Sequence, residues 1–84
     1  MVSRSCREAI QDLHANTKNW TFDDLRRVLE EAGFVMRSRT AGSHRTFAKP
    51  ACSVIVTLVD TRGPIFAAYV RMVVRALEEC CDDD

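Results

Sequence analysis

The hexapeptide Gly42-Ser43-His44-Arg45-Thr46-Phe47 sets an imidazole just past a turn glycine, in a segment that alternates like a strand. The unperturbed pKa of histidine lets it give or take a proton near neutral pH, so His44 is a candidate general acid or base. Arg37, Arg39, Arg45 and Lys49 lie close by in sequence, and such a basic surround suits a phosphate-bearing partner. These features imply phosphodiester chemistry, with nucleic acid as the substrate class. The other histidine, His14, falls at the end of a helical stretch near Asn16 and reads as a solvated imidazole.

The formal net charge of zero hides a strong asymmetry. Residues 1–36 hold five basic and six acidic side chains; from Arg37 to Arg75 there are seven basic residues against the single acid Asp60. Residues 76–84 then carry five acids and no base. Such segregation speaks to partners more than the total does.

At 84 residues the chain is expected to form one domain, 1–84, ending in an acidic tail at 80–84. The longest apolar run, Ile65 to Val70, stops at Arg71, well short of the roughly 20 residues a membrane helix needs. The first five residues lack the apolar stretch of a secretory signal, which makes a cytoplasmic location the expectation. Cys6, Cys52, Cys80 and Cys81 show no C-x-x-C spacing and are read as reduced thiols, some buried as small apolar groups. No Asp/Glu cluster suggests a metal, and no cofactor is expected.

Elements able to hold His44 in place can be traced along the chain. Ser5 and Glu8 have capping-box spacing, and Cys6, Ala9, Ile10 and Leu13 share one face of a short first helix. Thr21 caps a second helix with Asp24 as its box partner; Phe22, Leu25, Val28, Leu29 and Ala32 form its apolar stripe, and Gly33 suits a left-handed stop. Three extended segments follow at Phe34–Arg39, Ser43–Ala48 and Ser53–Val59, the first two joined by a Thr40-Ala41-Gly42 turn. A final helix is expected with Pro64 near its first turn and Phe66, Tyr69, Val70, Val73, Ala76 and Leu77 facing inward.

This pattern predicts an α+β domain: an α-β-β-β-α order with a three-stranded antiparallel sheet, both main helices on one face, plus a short extra N-terminal helix. The order is that of the double-stranded-RNA-binding fold. With it, the chain resembles the HicA family of bacterial toxin ribonucleases from about Asn19 to Glu79. The resemblance rests on Glu30-Glu31-Ala32-Gly33-Phe34, on Gly42-Ser43-His44-x-x-Phe47, and on Tyr69-Val70-Arg71 opening a helical run. It implies an endoribonuclease that cleaves mRNA without the ribosome, restrained by a HicB-type antitoxin, with His44 as the functional residue.

In a strand, residues two apart share a face. With Phe47 in the core, Arg45 and Ser43 turn toward its side, and His44 and Thr46 face the open surface. His44 would then act on the RNA's own 2′-hydroxyl as general base, or on the leaving oxygen as general acid. Arg37, Arg39, Arg45 and Lys49, with Gly42 and Ser43 at the turn, form the expected RNA-binding set. Tyr69, Lys49 and the substrate itself stay open as the second proton-transfer group. The competing expectation is a non-catalytic module on the same fold that binds double-stranded RNA or a protein.

Overall fold

The computed structural model describes residues 5–39 and 43–81, the side chains of Ser38 and Arg39 excepted. The predicted Thr40-Ala41-Gly42 turn and the last three acids of the tail lie outside the described residues. The elements run α1 (Cys6–Ala15), α2 (Phe22–Glu31), β1 (Val35–Arg39), β2 (His44–Ala48), β3 (Ile55–Val59) and α3 (Ala67–Cys80). The strands form one antiparallel sheet in the order β1-β2-β3. This is a small α+β fold with a three-stranded antiparallel sheet.

Local chemistry fixes the helix ends. Ser5 and Glu8 close a capping box, each backbone N–H donating to the other's side chain at 3.1 and 3.0 Å. Thr21 and Asp24 do the same for α2 at 3.1 and 3.2 Å. At the other end of α2 the Phe34 N–H donates to the Leu29 carbonyl and the Gly33 N–H to that of Glu30, a Schellman closure. Gly33 takes φ +98°, a conformation that favours glycine, and this sends Phe34 back into the core at 2% exposure.

The core joins all the helices to one face of the sheet. Leu13 from α1, Leu25 and Leu29 from α2, Phe47 from β2, Val56 and Leu58 from β3, and Val70, Val73 and Leu77 from α3 are buried together. Thus the apolar stripes predicted for α1 and α2 are inside. In α3 the stripe differs from expectation at one end. Phe66 is 77% exposed, because the helix begins at Ala67 and Phe66 is its N-cap, outside the helical phase; Val74 is buried instead. Pro64 likewise precedes α3 and bridges Thr21, while the Ile65 N–H donates to the Trp20 carbonyl at 2.7 Å.

The sheet's alternation is regular in β2 and β3 and broken in β1. Five consecutive pairs run from His44–Val59 to Ala48–Ile55 without a shift. Between β1 and β2 the register moves from Met36–Phe47 to Arg39–Arg45, so two β1 residues oppose Thr46 in a bulge.

The reading of all four cysteines as reduced thiols does not hold. Cys52 and Cys80 form a disulfide, their Cα atoms 5.8 Å apart, while Cys6 and Cys81 take no part in a disulfide. The partners are 28 residues apart in sequence. The sheet's second connection and the last turn of α3 meet only in the folded chain, which linear spacing does not reveal.

Candidate functional site

His44 opens β2 and is exposed, directly opposite Val59 of β3. Its placement follows from Phe47, three residues on and fully buried, which fixes the strand's phase. Asp60 N–H donates to the Ser43 carbonyl at 2.8 Å, so 60–43 is a hydrogen-bonded pair and His44–Val59, one step inward, is a non-hydrogen-bonded one. In such pairs the side chains approach closely. The next pair of that type, Thr46–Thr57, shows it: the two hydroxyl oxygens are 3.4 Å apart. Across the open face the pairs thus run from Val35, Ala48 and Ile55 at one end, through Thr46 and Thr57, to His44 and Val59 at the other.

The expected basic surround is only partly assembled. Arg37 is exposed, on the strand position next to the inward Met36. Arg45 is not offered to a ligand: its side chain is 14% exposed, lies 3.4 Å from the Asp60 carboxylate and donates to the His44 carbonyl at 3.1 Å. The alternation of β2 sends it to Phe47's side of the sheet, where Asp60 follows the end of β3. Lys49 departs further from expectation. It is buried at 7% exposure, and its ammonium donates to the Cys80 carbonyl at 2.7 Å. A cation at a helix C-terminus meets unsatisfied carbonyls and the negative end of the helix dipole. Lys49 therefore caps α3, at the end of β2 remote from His44, and is no candidate for its proton-transfer partner. Ser43 is exposed beside His44. Gly42 and the side chain of Arg39 lie outside the described residues.

Two open grooves adjoin Val59, the residue facing His44, or the loop that follows it. One, of about 270 Å³, is lined by Val59, Arg62, Pro64, Phe66 and Tyr69 among others. The second, of about 550 Å³, is lined by Thr21, Asp23, Asp60 and Gly63, and shares Thr61 and Arg62 with the first. Tyr69, half-buried in the first turn of α3, lines the same groove as Val59. Arg62 is a further cation that its sequence neighbours do not single out. It belongs to the basic segment, but the closure of the 60–66 loop against Trp20 and Thr21, which sets it between two grooves, is a tertiary contact.

Other polar groups have structural employment. His14 lies 3.6 Å from Glu78, joining α1 to α3 while remaining mostly exposed. Arg71 and Arg75 are exposed on α3. Among the described residues no group of three or more His, Cys, Asp or Glu side chains is placed to hold a metal ion, and no helix is long and apolar enough to cross a membrane. The chain matches no family model, no curated protein and no solved structure.

Proposed function

We propose that this protein is an endoribonuclease of the HicA toxin type, cleaving mRNA with His44 as general acid or base. The observation that carries the reading is the exposed His44 at the head of β2, on the open face and across from the Val59–Arg62–Tyr69 groove. The α2-β1-β2-β3-α3 order supports a double-stranded-RNA-binding-like fold beneath it. In this chemistry the 2′-oxygen attacks the adjacent phosphorus while the bond to the 5′-oxygen breaks. A 2′,3′-cyclic phosphate and a 5′-hydroxyl result. His44 takes the 2′ proton or delivers one to the departing 5′-oxygen. Arg62 and Arg37 supply positive charge for the phosphate, and Tyr69, which shares a groove with Val59, is the residue proposed as the second proton-transfer group. The reaction needs the 2′-hydroxyl, which restricts it to RNA, and it calls on no metal. A HicB-type antitoxin would be the restraining partner, and the cytoplasm, where mRNA is met, the site of action.

A second reading draws on Val35 and Ile55, which are 57% and 54% exposed on the open face: a non-catalytic module that binds a protein or duplex RNA through this sheet. One experiment separates the two. Purified protein is incubated with single-stranded RNA in excess chelator, alongside His44→Ala. Cleavage leaving cyclic-phosphate ends, lowered about 10²–10⁴-fold in the variant, is the expected result. Equal cleavage by a folded His44→Ala protein would sink the assignment, and RNA left intact by the parent favours the binding module.

A further inference from the structure

The two edges of the sheet are built differently. β1 is broken by its bulge and carries Arg37 and Arg39, both features that discourage another strand from adding to an edge. β3 has neither. Its sequence is Ile-Val-Thr-Leu-Val, without charge, proline or glycine, and its pairing with β2 is continuous.

The direction of β3's peptide groups follows from one hydrogen bond. Asp60 N–H points inward to the Ser43 carbonyl. Alternation then turns the peptide groups of Leu58 and Val56 toward β2 as well, and those of Ile55, Thr57 and Val59 outward. The Val59 carbonyl is engaged by the Thr61 N–H at 3.1 Å. Among the described residues no strand pairs with this outer edge. What the edge presents is a row of donors and acceptors at strand spacing, and only extended backbone matches such a row.

We propose that β3 is a self-association edge, at which two copies of the chain join antiparallel about a twofold axis at Thr57 to form a six-stranded sheet. A second copy fits for reasons of sequence. The axis sets Thr57 on Thr57, Val56 on Leu58 and Ile55 on Val59, so apolar meets apolar and no charge lies within the paired segment. Just beyond it, Asp60 falls opposite Val54 and Arg62 opposite Cys52, so like charges do not meet. Ile55, now 54% exposed, gains a cross-strand neighbour in Val59 of the other copy. The association does not depend on what His44 does.

Sedimentation equilibrium across a hundredfold range of concentration should show wild-type protein moving from monomer to dimer. Thr57→Lys and Thr57→Glu each place like charges face to face and should weaken association about tenfold or more. An equimolar mixture of the two should pair again as a heterodimer, and Val35→Lys, on the other edge, should behave as wild type. Circular dichroism establishes that each variant is folded. Should a charged variant not fold, isotope-filtered NMR on mixed labelled and unlabelled wild-type protein should give contacts between Ile55 of one copy and Val59 of the other. A wild-type protein monomeric throughout overturns the proposal. So do a dimer untouched by both Thr57 changes, folded variants that do not pair on mixing, a dimer lost in Val35→Lys, and the absence of those contacts in the dimer.

Discussion

The guanidinium of Arg45 sits 3.4 Å from the carboxylate of Asp60, closing the end of the β2–β3 ladder just behind His44. It makes Arg45 a structural cation instead of a phosphate ligand. Arg45→Ala should lower stability by about 1 kcal/mol, the upper end of the range for partly exposed pairs. A double-mutant cycle with Asp60→Asn, followed by urea unfolding, should show coupling between the two. The salt dependence of RNA binding should be unchanged, whereas a lost phosphate contact would flatten it.

Lys49 yields a contrasting prediction. Its ammonium is buried and donates to the last carbonyl of α3. Lys49→Met keeps much of the stem but leaves that acceptor unmatched, at a cost of about 1–3 kcal/mol. Thermal or urea unfolding measures the loss.

Arg62 should behave in the opposite way. Arg62→Ala removes an exposed side chain between two grooves, so stability should move by no more than about 0.5 kcal/mol. The slope of log affinity against log salt for RNA should fall by about 1. A slope equal to the parent's would remove Arg62 from the site.

Gly33 and Lys49 are coupled through space. A Cβ added at Gly33 would stand 3.2 Å from Lys49 Cε, at a backbone φ of +98° that other residues rarely adopt. Gly33→Ala should therefore cost about 1–2 kcal/mol, from the strained backbone and from the displaced lysine stem. A variant as stable as the parent in urea would contradict this.

The Cys52–Cys80 bond closes a separation of 28 residues, which loop-closure entropy values at about 3–4 kcal/mol of stability. Non-reducing peptide mapping should recover that pair, and reductant should lower the unfolding midpoint accordingly. A reducing cytoplasm opposes such a bond, so an mRNA-cleaving protein working there would do so without that contribution.

The parts legible in sequence were those governed by neighbours. Ser5 with Glu8, Thr21 with Asp24, and Gly33 before Phe34 specify helix ends within a few residues, and the structure forms each as read. The alternation around Phe47 likewise sent His44 outward and Arg45 inward. Partners distant in sequence were not legible. Lys49 follows a strand and reads as a surface cation until Cys80, 31 residues on, brings a bare carbonyl to it. Arg45's inward turn could be read, but its partner Asp60 could not. Phe66 departs from its expected inward place for a subtler reason: periodicity gives the phase of a helix but not its first residue, and one position decides whether that ring is inside.

The loop after β3 is held at both ends, by Asp60 N–H on Ser43 and by Ile65 N–H on Trp20. Only residues 61–64 span the two anchors, and Gly63 at φ +77° completes the turn between them. A segment tethered this closely has little conformational freedom left to surrender when something settles against Arg62. The ordering that a loose loop would have to undergo during binding has been completed by folding, so a ligand meeting this rim keeps more of its interaction energy as affinity.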